Sequence, residues 1–143
     1  MLNYKFIDHT ADIAVEVMGS TLEDMFTASA AALHDSVVEK YVFENLKQEE
    51  KQLELEEESI EEVLVSFLSE LNFLISASKW IFNAIKEIKI VKNGKWHLKA
   101  NISGEAYDPA KHILKEEIKA VTYHQMNIVE ENEIFKTKIV FDI

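Results

Sequence analysis

Two short segments decide most of what this chain can become. Ser20-Thr21-Leu22-Glu23 and Ser59-Ile60-Glu61-Glu62 each place a hydroxyl three residues before a glutamate, the signature of a helix that caps its own first turn. After the first, Leu22, Met25, Phe26, Ser29, Ala30, Leu33 and Val37 recur at helical spacing. After the second, Ile60, Val63, Leu64, Phe67, Leu71, Leu74 and Ile75 do the same. The chain therefore has two amphipathic helices with marked starts. Each has an apolar stripe to bury, and the rest of the sequence must supply the surface that covers it.

That surface is written with period two. From about Tyr4 to Met18, Ile13, Val15 and Val17 point one way and Asp12, Ala14 and Glu16 the other. Lys47 to Glu62 is densely charged, yet Leu53 and Leu55 alternate within it, so it reads as a strand with a solvated face. Ile88 and Ile90 lead to Asn93-Gly94, after which Trp96, Leu98, Ala100 and Ile102 alternate. A three-residue loop, Lys92-Asn93-Gly94, pairs Ile90 with Trp96 and Ile88 with Leu98, with Gly94 left-handed. Tyr107-Asp108-Pro109 is a turn, and Ile118 to Val129 with Glu133 to Ile143 form a final antiparallel pair. The expected fold is α+β: one domain, residues 1–143, with two helices packed on one face of a largely antiparallel sheet. No linker and no internal repeat stands out.

Composition excludes several function classes. The chain has no cysteine, which removes disulfides and thiol chemistry and makes structural zinc improbable. Its net charge of −11 argues against direct, strong nucleic-acid binding, which needs a basic footprint. All 15 basic residues are lysine, so it has no guanidinium fork for phosphates. No apolar run is long enough to span a bilayer and no signal-peptide layout is present, so no membrane role and a cytoplasmic location are expected. Phosphate-loop, zinc-protease and nucleophile-elbow motifs are absent.

Three polar features interrupt the alternation. Phe6-Ile7-Asp8-His9-Thr10-Ala11-Asp12 breaks it inside the first strand-like element, either as a turn or bulge or as an oxygen-ligand site with Asp12 as its strongest member. Lys119-Ala120-Val121-Thr122-Tyr123-His124 is the second. The third is the last strand, where Phe135, Thr137, Ile139, Phe141 and Ile143 share a face and Asp142 stands beside the main-chain carboxylate of Ile143. Two neighbouring anions repel unless a cation lies between them. The alternative is that both point into water, and spacing alone favours that. His34, His97 and His112 have no ligand-like spacing and read as structural or solvated.

Taken together, these three segments resemble one family, archease, a small acidic protein that assists the RtcB-type tRNA-splicing ligase. The joint occurrence of His9-Thr10-Ala11-Asp12, Lys119-Ala120-Val121-Thr122-Tyr123-His124 and Asp142-Ile143 carries the resemblance, which spans nearly the whole chain. The chain departs from the family in having Lys111 where arginine often precedes His112, and Phe67-Leu68-Ser69-Glu70 in the second helix. The resemblance implies a divalent-cation site (Ca²⁺, Mg²⁺ or Mn²⁺) made by Asp12, Asp142 and the carboxylate of Ile143. It also implies a surface of His9, Lys119, Thr122 and His124 beside it. It implies a non-catalytic activator that transiently meets an RtcB-type RNA ligase, promotes its GTP-dependent guanylylation and allows multiple turnover in tRNA splicing. Three rivals remain: a chaperone-like modulator of RNA-modifying enzymes, a free-standing metal hydrolase, and a purely structural cation.

Overall fold

The computed structural model describes residues 2–7, 12–40, 48–123 and 126–143. Among them are ten strands and two helices in the order β1 (Leu2–Ile7), β2 (Asp12–Gly19), α1 (Leu22–Val37), β3 (Val38–Lys40), β4 (Glu49–Glu57), α2 (Ile60–Ser76), β5 (Trp80–Asn93), β6 (Lys95–Ala106), β7 (Ile113–Leu114), β8 (Ala120–Thr122), β9 (Val129–Glu131) and β10 (Ile134–Asp142). All strand pairings are antiparallel. One sheet runs β1-β2-β10-β8, with β9 also on β10; a second runs β4-β6-β5; β3 and β7 form a small third pair. The helices pack on one face of each large sheet and share a single core with both.

The helix starts are where the sequence places them, with one shift. At α2, Ser59 accepts from the Glu62 N–H at 3.1 Å and donates to the Glu62 carboxylate at 2.9 Å. At α1 the cap is Thr21, not Ser20: Thr21 Oγ1 accepts from the Asp24 N–H at 3.0 Å, and Ser20 donates to the Asp24 carboxylate. The run Ser-Thr-Leu-Glu-Asp offers two overlapping hydroxyl–acid pairs, and spacing alone does not choose between them. Glu23 is thereby released from capping and reaches across the molecule, where it accepts the Ile90 N–H at 3.0 Å.

A duplication hidden from the sequence organises these elements. Glu61 accepts the Ile128 N–H at 3.0 Å, and this bond spans the same 67 residues as the one from Glu23 to Ile90. Thr21 and Ser59, Leu22 and Ile60, Glu23 and Glu61, Ile90 and Ile128 are each 38 apart (59 − 21, and so on). Each unit is a strand, a helix and a hairpin whose last strand pairs with the first. Unit one is β2, α1 and the β8/β9–β10 hairpin; unit two is β4, α2 and the β5–β6 hairpin, inserted inside it. The two glutamates tie each helix to the other unit's hairpin, so the units interlock.

Burial explains why the helices hold. Phe26, Phe67, Met25, Leu33, Leu64, Leu68 and Leu71 have no exposure, and each such side chain contributes about 1.5–3 kcal/mol. α1 is buried on nearly every side, between strands of both sheets. Ala28, Ala30 and Ala32 keep it thin, while Ser29 and Ser36 return their hydroxyls to carbonyls one turn back, at 2.8 Å each. Tyr4 of β1 donates to Asp35 at the far end of α1, and this bond pushes its phenol up to about 12.

Two expectations are corrected. The element from Tyr4 to Met18 is two paired strands, with Ile7 opposite Ala14; residues 8–11 of the polar stretch lie outside the described residues. In the β5–β6 hairpin Ile90 faces Leu98 and Ile88 faces Ala100, with Asn93 opposite Lys95 across a left-handed Gly94 (φ 71°). A shift of two residues leaves every side chain on its expected face, so alternation cannot distinguish the two registers.

The caps yield a first prediction. Thr21→Ala and Ser59→Ala should each cost about 1 kcal/mol in urea unfolding, and the costs should add because the caps share no partner.

Candidate metal centre

The β2–β10 ladder brings the beginning and end of the sequence together. Asp12 opens β2 and Asp142 closes β10, and the two are direct Cα partners. Directly opposed residues project to the same face with Cβ atoms about 5 Å apart, so two carboxylates stand side by side at one end of the sheet. One row inward, Ile13, Phe141 and Val121 are aligned; Phe141 has no exposure and Val121 little, which anchors the row beneath the aspartates. Ile143 follows Asp142 and packs against the core.

The third strand brings in the second polar segment. β8 pairs with β10 so that Ala120 faces Asp142 and Thr122 faces Val140. Thr122 is therefore on the same face as the aspartates, two residues along β8 from Ala120. The Lys119 N–H donates to the main-chain oxygen of Asp142 at 2.7 Å. Lys119 and Asp142 are exposed, and Asp12 is partly so. Of the candidate residues, the fold thus assembles Asp12, Asp142, Ile143, Lys119 and Thr122; His9 and His124 lie outside the described residues.

The donor set fits a hard divalent cation. Ca²⁺, Mg²⁺ and Mn²⁺ take carboxylate oxygens and complete their shells with water. Among the described residues no group of three or more His, Asp or Glu side chains is arranged to hold a metal ion. Asp12 and Asp142 are the two side-chain carboxylates that the β2–β10 register brings together.

In unit two the ladder pair equivalent to Asp12–Asp142 is Glu50–Ser103, because Val17–Thr137 and Val15–Ile139 of unit one match Leu55–Leu98 and Leu53–Ala100 of unit two. Ser103 is buried and donates to the Asn83 side-chain oxygen at 2.6 Å, so a single carboxylate stands there. Glu50 accepts from the Asn101 amide.

His34, His97 and His112, which spacing reads as structural or solvated, lie in three different settings. His112 Nδ1 accepts the Asp108 N–H at 2.9 Å, which leaves Nε2 protonated and facing Glu105 at 3.4 Å, with both side chains buried. Burial pushes His34 below its ordinary value, against the pull of Asp35 beside it. His97 lies on the outer face of β6, 3.3 Å from Glu56. Sequence reading missed Asn72, whose amide donates to the Ile118 carbonyl at 2.8 Å. Its signal was a lone amide inside Leu71-Asn72-Phe73-Leu74-Ile75. No helix among the described residues is long and apolar enough to cross a membrane.

Comparison with known proteins follows the same lines. A model of the Archease protein family matches residues 4–143. Protein archease of Pyrococcus furiosus is 41% identical over 128 residues, covering 90% of this chain and 89% of that one. The Thermococcus kodakarensis protein is 43% identical over 133 residues, with the same coverage. The solution structure of Methanobacterium thermoautotrophicum Protein 1598 superposes with a TM-score of 0.78 at 27% identity, covering 98% of each chain. The crystal structure of a Thermotoga maritima archease, described as a possible chaperone, does so with a TM-score of 0.65 at 28% identity, covering 97% of this chain and 96% of that one.

A cation that binds only the folded protein stabilises it by mass action. At about 100 times its Kd, Ca²⁺ or Mn²⁺ should raise the unfolding midpoint by roughly 5–10 °C. Asp12→Asn and Asp142→Asn should each reduce that rise to near zero in differential scanning calorimetry. An undiminished rise in both variants would place the cation elsewhere.

Proposed function

The chain belongs to the archease family, and from that membership we propose that it is a non-catalytic activator of an RtcB-type RNA ligase in tRNA splicing and RNA repair. It promotes GTP-dependent guanylylation of the ligase and so permits repeated turnover. The observation that carries this reading is the pairing of Asp12 with Asp142, with the Lys119 N–H on the Asp142 carbonyl. Segments far apart in sequence converge there on one exposed sheet end, where a partner can reach them.

The roles follow from chemistry. Asp12, Asp142 and the Ile143 carboxyl hold the divalent cation. When bound, that cation screens the two carboxylates and supplies a Lewis-acidic centre at the surface. Lys119 offers a mobile ammonium suited to phosphate oxygens, and Thr122 a hydroxyl on the same face as the aspartates. His9 and His124 complete the proposed surface. An activator has to bind one state of its partner better than another, so a brief encounter at the ligase's active-site mouth is sufficient. The charge of −11 matches a partner with a basic face.

A second reading has its own support. Phe6, Phe73, Ile113 and Tyr123 are large apolar side chains between 44% and 56% exposed, contacts of the kind a chaperone-like modulator would use. The two readings separate on Asp12.

Purified RtcB-type ligase with GTP and divalent cation tests both. Wild-type protein should raise guanylylation and multiple-turnover joining at least tenfold, and Asp12→Ala should abolish the gain. Stimulation that survives Asp12→Ala, together with protection of unrelated clients from aggregation, would favour the chaperone-like role.

A further inference from the structure

We propose that Asn72 is a positioning residue: it clamps the peptide group between Ile118 and Lys119 and so sets where Lys119 stands relative to Asp142. This deepens the activator reading and rests on it.

The clamp acts on a single peptide unit from both sides. Its carbonyl, that of Ile118, accepts from the Asn72 side chain at 2.8 Å. Its N–H, that of Lys119, donates to the Asp142 main-chain oxygen at 2.7 Å. A peptide group is planar, so two bonds in opposed directions fix its orientation and with it the Cα of Lys119. One anchor comes from α2 and the other from the β10 residue in the candidate centre.

The neighbouring chain does not do this work. Residues 115–119 form no helix or strand, and their ladder begins only at Ala120. Upstream, the Lys115 N–H reaches the Val37 carbonyl at 2.8 Å. Between these anchors the segment borders a cleft of about 370 Å³, lined by Asn72, Ile75, Ser76, Lys79, Lys115 and Ile118 among others. Packing beneath the segment is therefore incomplete. Ile118 is its one buried residue, at 3% exposure, and that burial fixes depth but not rotation of the peptide plane. Asn72 itself is set firmly, because Leu71 and Ile75 on the same helix are in the core. A positioning group on a rigid helix is more exact than one on a loop.

The test uses the full chain with Asn72→Leu, which keeps approximate volume and removes the donor, and Asn72→Ala as a second variant that favours helix. Asn72→Gln restores an amide, and Ile75→Val serves as a control that weakens the core nearby. Amide hydrogen exchange is read at Lys119 and, for comparison, at ladder residues Ile139 and Val140. In the Leu and Ala variants exchange at Lys119 should rise about five- to tenfold beyond any rise in the ladder, the loss of one hydrogen bond. Gln should recover part of it, and Ile75→Val should not reproduce it. Exchange at Lys119 that stays level with the ladder in both donor-less variants would overturn the proposal. This readout needs neither ligase nor cation, so it stands apart from the activator reading. In the ligase assay the same two variants should lose stimulation to the level of Lys119→Ala while keeping the cation-dependent rise in melting temperature. Wild-type stimulation from a variant whose Lys119 amide has loosened would overturn the functional half.

Discussion

The antiparallel ladder between β2 and β10 is the constraint on which the rest depends. It joins residues 12–19 to residues 135–142 in unbroken register, and at its end it makes Asp12 and Asp142 partners. A slip of one residue would turn Val15, Val17 and Ile139, all without exposure, out of the core. The apolar row therefore enforces the register, and the register places the carboxylates. The like-charge pair is tolerated because the cost of separating it is the cost of unpacking the sheet.

The inserted duplication gives this ladder its rigidity. β2 and β10 come from opposite ends of the chain, and unit two lies between them in sequence. Loop closure over such a distance is unfavourable until many contacts form together. The two crossed glutamate bonds, Glu23 to Ile90 and Glu61 to Ile128, meet that need by tying each helix to the other unit. The two units differ at this end: the pair equivalent to Asp12–Asp142 is Glu50–Ser103, so one ladder ends on two carboxylates and the other on one.

Much of this was legible in the residues, and the reasons for the rest are physical. α1 and α2 announced themselves because a hydroxyl–acid pair and a 3.6-residue apolar period agree at each start. The strand of Leu53 and Leu55 was readable despite its charge because burial alternates there. The β5–β6 register was not, since moving by two residues preserves faces. The duplication was invisible because equivalent positions share roles and not identities: Thr21 with Ser59, Leu22 with Ile60, Asp12 with Glu50. Asp12, Asp142, Ile143, Lys119 and Thr122 were named on resemblance and on local charge, and the register brings them to one sheet end. Asn72 escaped notice because a single amide in an apolar helix has many uses, and its partner Ile118 is 46 residues away.

The proposed divalent-cation site lies where β2, β8 and β10 meet. The most direct measurement is to titrate the isotope-labelled protein with Mn²⁺ and follow backbone amide signals by NMR. Asp12, Ile13, Ala120, Asp142 and Ile143 should broaden first and together, and excess Ca²⁺ should restore them. First broadening along the acidic strand Glu49–Glu57, with the β2–β10 end unaffected, would contradict this placement.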